Sequence, residues 1–105
     1  RIDQFQRLAP TVDLVRPRSD RLAAAVLDRA LVGTLQGQEL HVVTPEDFVL
    51  LKLLSTRERD LEDARTVVAA LPDVLDRALL AREVALLAAE IPDHDVTGRA
   101  AAVLG

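Results

Sequence analysis

Apolar and polar residues follow two rhythms along this chain, and the switch between them marks its elements. Residues 1–9 show no clear alternation. Thr11-Val12-Asp13-Leu14-Val15 then forms a compact β-type run between Pro10 and Pro17. Ser19 or Asp20 suits the cap of a helix reaching about Val32. Its apolar positions Leu22, Ala25, Val26, Ala30 and Val32 recur at roughly helical spacing, and Gly33 is the expected stop. Gly37 marks a turn, and Leu40-His41-Val42-Val43 reads as a second short strand. Thr44 then stands as an N-cap, Pro45 takes the first helical position, and Glu46 and Asp47 place negative charge against the exposed N–H groups of the first turn. This helix is expected from Pro45 to about Ser55, resuming or continuing to Leu71. Another is expected from Pro72-Asp73 to near Glu90, before Pro92, and a last short one after Thr97-Gly98.

The order strand, helix, strand, helix, helix with a helical tail defines an α+β chain: two short strands plus a mainly helical remainder. Strand-helix-strand fills residues 11–43 and a helical part fills 44–105, as one domain or a fragment of one. Two strands alone do not make a sheet with two buried faces, so further strands are expected from before Arg1 or from another copy. A chain of 105 residues holds one core. Phe5 and Phe48 are its only aromatic residues, so that core is aliphatic.

There is no cysteine, which excludes disulfides, thiolate catalysis and cysteine zinc sites. No apolar run approaches the roughly 20 residues of a membrane span, and no signal peptide is visible, so a cytoplasmic protein is expected. The net charge is −4, unevenly spread: six arginines against four aspartates in residues 1–35, seven basic against thirteen acidic residues in 36–105. No strong basic patch emerges, which argues against general binding of DNA or RNA through phosphates.

Charged residues set in apolar runs are the candidates for chemistry. Lys52 interrupts Val49-Leu50-Leu51-Lys52-Leu53-Leu54, and either snorkels its ammonium to water or meets an anion. On a continuous helix Lys52, Thr56, Arg59 and Asp63 share one stripe with Asp60 beside it, while Leu50, Leu54, Leu61, Ala64 and Val68 face a core. Such a stripe is either a solvated face of ion pairs or a binding face. Asp13 lies on the face of its strand opposite Val12 and Leu14. It needs a cation, a metal or hydrogen bonds in a central strand, and only water on an edge. Asp93-His94-Asp95 suits a polar turn or a helix cap better than a metal site. His41 has no visible partner.

The stretch from Val42 to Asp63, with Thr44-Pro45-Glu46-Asp47-Phe48, Lys52-Leu53, Arg57 and Arg59-Asp60-Leu61-Glu62-Asp63, resembles the late motif of bacterial nucleotidyltransferase-like proteins of the polymerase-β-like superfamily, including AbiEii-type toxins. Ser55 stands where alanine is usual in that pattern. Upstream, Val12-Asp13-Leu14-Val15 resembles the strand that supplies the superfamily's third metal carboxylate, and the resemblance covers about residues 11–71.

The resemblance implies the C-terminal part of a nucleotidyltransferase fold. In the intact parent, Mg²⁺ and an NTP would support transfer of a nucleotidyl group to a protein or tRNA acceptor. Asp13 would be the metal carboxylate and Lys52 a phosphate contact. Asp60 and Asp63 would orient Lys52 or Arg59, or serve the acceptor. Catalytic roles thus fall on Asp13, Lys52 and Asp63, and nucleotide contacts on Lys52, Arg59 and Asp60. A toxin–antitoxin setting implies a cognate antitoxin, and an oligomer is compatible with the pattern. The superfamily's glycine turn followed by Asp-x-Asp is missing from these residues. The sequence opens on Arg1, so that motif is expected upstream in a longer protein, with no tight Mg²⁺ or NTP binding and no transfer by the 105 residues alone. The alternative is a non-catalytic helical interaction module or a degenerate relative.

Overall fold

A computed structural model describes residues 19–105, and among these the chain is α+β: five helices and one two-stranded antiparallel sheet. The β-type run at residues 11–15, with Asp13, lies outside the described residues. The chain divides into two units, Arg1–Thr44 and Pro45–Gly105.

In the first unit, helix α1 spans Asp20–Arg29. Ser19 caps it, its side chain accepting from the Leu22 N–H at 3.0 Å. Leu22 and Val26, one turn apart, are its buried positions. The helix ends at Ala30 rather than Val32. Leu31 and Val32 instead enter strand β1, Leu31–Leu35, which pairs with β2, Gln38–Val42, so Gly33 sits opposite Leu40 and stops no helix. The reason is the turn between the strands. Gln36 and Gly37 both have positive φ (52° and 79°), as a two-residue type I′ turn requires, and that turn fixes the register from Leu35↔Gln38 outward. Pairing residues directly opposite each other puts Leu31, Leu35, Leu40 and Val42 on one face and Val32, Thr34, Glu39 and His41 on the other.

The second unit is helical. Helix α2, Pro45–Leu53, starts where Thr44-Pro45 led one to expect. It buries Asp47, Val49, Leu50, Leu51, Lys52 and Leu53, so it is covered on nearly every side and packs against the three helices that follow. It does not run on: Leu54–Arg57 is non-helical, and α3 resumes at Glu58–Ala70. Pro72-Asp73 is a turn rather than a helix start, and α4 spans Arg77–Glu90. Two carboxylates fix that boundary. Asp76 accepts from the Leu79 N–H at 3.0 Å, and Glu46 from α2 accepts from the Asp76 N–H at 2.8 Å. Helix α5, Val96–Leu104, begins two residues before Gly98, because Asp95 caps it through the Gly98 N–H at 2.9 Å. The fully buried side chains of this unit are aliphatic apart from Asp47: Val49, Leu50, Leu53, Ala64, Leu80, Leu87 and Val96.

Candidate functional site

The elbow between α2 and α3 gathers the polar residues that the sequence singled out. Lys52 is the penultimate residue of α2 and is buried, 5% exposed. Its ammonium lies 3.2 Å from Asp60 Oδ1 and 3.1 Å from Asp63 Oδ2, and 5.2 Å from the centroid of the Phe48 ring. Asp60, on the first turn of α3, is 3% exposed, whereas the Asp63 side chain is half exposed.

Asp60 collects the larger set of donors. Lys52 Nζ holds one oxygen; the Ser55 hydroxyl donates to the other, as does Arg57 Nε at 3.1 Å. Ser55 Oγ in turn accepts from the Arg57 N–H at 3.1 Å. Burial by itself would push the Asp60 carboxyl up. The hydrogen bond from Ser55, then the bond and charge of Lys52, then the charge of Arg57 outweigh it and hold the group below its ordinary value.

The last turn of α2 is finished from a distance. The Leu53 carbonyl meets His94 Nε2 at 2.9 Å and accepts from Arg99 Nε at 3.1 Å, and Arg99 also donates to the Arg57 carbonyl. These bonds occupy a carbonyl that a helix end leaves without an intrahelical partner.

Lys52, Asp60 and Asp63 therefore meet, but by a route different from the one expected. On one continuous helix, Lys52 and Asp63 would stand about 16 Å apart along the axis, and no stripe would bring them into contact. They touch because the helix breaks at Leu54–Arg57 and α3 packs back on α2. For the same reason Thr56 and Arg59 leave the stripe: both are exposed, Thr56 in the connection and Arg59 on α3. Of its two alternatives Lys52 meets an anion rather than snorkelling to water, and the anions are the chain's own carboxylates. Ser55, a departure from the family pattern, and Arg57 complete the cluster. The signal that would have found them is the Ser-x-Arg spacing ahead of Asp60, which places a hydroxyl and a guanidinium at one helix start.

Asp13 lies outside the described residues, so its placement relative to Lys52 does too. Of the Asp93-His94-Asp95 triplet, Asp95 is the helix cap expected of it, whereas the bond of His94 to the distant Leu53 carbonyl was not expected. His41 is exposed on β2. Among the described residues no group of three His, Cys, Asp or Glu side chains could hold a metal ion. The Lys52 cluster does not fit Mg²⁺ either. Asp60 and Asp63 share an ammonium at about 3 Å, where a divalent cation would need their oxygens free. No protein-family model, curated protein or solved structure matches this chain. Among the described residues no helix is long and apolar enough to cross a membrane.

Proposed function

We propose that this chain is the late part of a nucleotidyltransferase-like protein of the bacterial cytoplasm, in which the elbow cluster supports the site rather than performing the transfer. The observation that carries this reading is the convergence of Lys52, Asp60 and Asp63 on one point after the Thr44-Pro45 helix start. Of the roles that the resemblance implies, the geometry favours the one in which the two carboxylates orient Lys52. In the parent, an NTP would be the donor and a protein or tRNA the acceptor, with a cognate antitoxin as a further partner. Asp13 would belong to a metal site completed by residues outside these 105.

Incubation of the 105-residue chain with Mg²⁺, each labelled NTP, and protein and tRNA acceptors tests the reading. No transfer is expected here, and transfer is expected from a longer chain that includes an upstream glycine turn and Asp-x-Asp. Metal-dependent labelling by the 105 residues, lost on Asp13→Ala, would show a complete site in this chain. Upstream sequence without such a motif would remove the enzymatic reading.

One observation favours a second reading, a non-catalytic helical module. The charges at the elbow balance, Lys52 and Arg57 against Asp60 and Asp63, which leaves no cationic excess for a phosphate. Under that reading Lys52→Met lowers the unfolding midpoint and leaves retention of labelled NTP by the longer chain unchanged. Under the first it lowers both.

A further inference from the structure

The connection Leu54–Arg57 interrupts a helix where backbone chemistry does not require it. The segment Leu54-Ser55-Thr56-Arg57 contains neither glycine nor proline, and helices flank it on both sides. Ser55 and Thr56 are weaker helix formers than alanine by only about half a kcal/mol each. Ser55 Oγ offers the Arg57 N–H a local alternative at 3.1 Å, a modest competitor with helical pairing. What distinguishes the bent form is tertiary. Straightened into one helix, the segment would set Asp60 about 12 Å and Asp63 about 16 Å along the axis from Lys52, so neither ion pair survives. Asp60 alone ties Lys52, Ser55 and Arg57 together across the bend. Straightening within a single chain would also carry α3 off α2 and uncover the buried Leu54 and Leu61. A second copy can restore the Lys52 pairs and the packing of α3–α5 on α2 by exchange, but not the Ser55–Asp60 bond, which exists only within the bend; the swapped dimer is thus the accessible form of a straight helix.

We propose that Asp60 is a conformational latch. Its bonds to Ser55 and Arg57 hold the elbow bent, and without them residues 45–70 run as one helix and two copies exchange α3–α5 against α2. The association state of the protein then depends on one buried carboxylate.

The absence of cysteine allows the test to be made on the whole chain with two introduced spin labels. Pro45→Cys at the start of α2 and Ala69→Cys on α3 report the distance across the elbow, which a continuous helix sets at about 35 Å. The doubly labelled parent is expected to give one shorter distance. Asp60→Ala in that background is expected to add a component near 35 Å that grows with protein concentration, alongside a dimer in sedimentation. Adding Thr56→Pro is expected to remove both. Thr56 is exposed and non-helical in the elbow, whereas proline there forbids the continuous helix.

The latch is refuted if Asp60→Ala keeps the parent distance and association state at every concentration, or if the long component persists with Thr56→Pro. If Asp60→Ala unfolds, the proline decides. Recovery of the parent distance supports a latch that guards against straightening, and continued unfolding overturns it.

Discussion

At the start of α5, two residues are locked together in a way that reverses the usual effect of a substitution. Asp95 caps the helix by accepting from the Gly98 N–H at 2.9 Å, and the same geometry leaves no room for a side chain at position 98. A Cβ built on Gly98 would lie 2.2 Å from Asp95 Oδ2 and 2.7 Å from its Cγ. Gly98→Ala should gain about 1 kcal/mol from helix propensity and lower backbone freedom in the unfolded chain. The new methyl can be accommodated only if the carboxylate swings away, which forfeits a cap of about 1 kcal/mol. The two terms cancel, so Gly98→Ala in the native background should change stability by less than about 0.5 kcal/mol. Asp95→Ala alone should cost about 1 kcal/mol. In that background the methyl meets no carboxylate, and Gly98→Ala should stabilise by about 1 kcal/mol. Urea unfolding of the four proteins, followed by circular dichroism at constant m-value, gives the coupling directly. Equal stabilisation by Gly98→Ala in both backgrounds would show that Asp95 does not lie over Gly98, and the capping argument would fail.

The β1–β2 turn makes a parallel prediction. Gln36 holds a positive φ without being glycine, so Gln36→Asn should stabilise by about 0.5 kcal/mol, while Gly37→Ala should cost about 1 kcal/mol, both read from denaturant midpoints. The lowered Asp60 pKa sets a pH dependence. Its stabilising contribution is complete above the ordinary carboxyl value of 3.8 and is lost as pH falls below that, through the folded value. The stability difference between the parent and Asp60→Asn should therefore shrink in that acid window and stay constant above it. A difference that stays flat through the acid window would contradict the ionised pair. Leu80 is fully buried on α4, and Leu80→Ala should cost about 2–5 kcal/mol in the same assay.

Local chemistry made some boundaries readable in the sequence and left others hidden. Ser19 ahead of α1 and Thr44-Pro45 ahead of α2 were visible because capping and proline preferences act within a few residues. Gly37 was visible for the same reason, since a tight turn demands positive φ locally. Strand β1 was missed because Leu31 and Val32 continue the apolar spacing of α1, and only pairing with Gln38–Val42 decides their state. The elbow was legible only in part: a helix end near Ser55 followed by a restart was one of two readings, and the fold-back was neither. Lys52 stood out as needing water or an anion and Asp60 only as a neighbour of its stripe, and nothing in Leu54–Arg57 gives the direction of the bend. The partners found each other by folding back, a choice made by tertiary contacts. Asp76 shows the same limit: a residue from α2, Glu46, completes the boundary thirty positions away.

The pairing of Leu53 with His94 and Arg99 bears on how the protein emerges from the ribosome. Those partners lie 41 and 46 positions downstream of the carbonyl they satisfy. While α2, α3 and α4 are being extruded, the Leu53 carbonyl has only water to bind, and the Arg57 carbonyl, held locally by the Asp60 N–H, lacks its second donor, Arg99. The aliphatic face destined for Val96, Ala100 and Val103 is uncovered over the same interval. Native assembly of this helical unit must then follow synthesis of residue 99 rather than accompany it. A nascent chain stalled before that point should be sensitive to protease throughout α2, and should become protected in one step once α5 clears the exit tunnel.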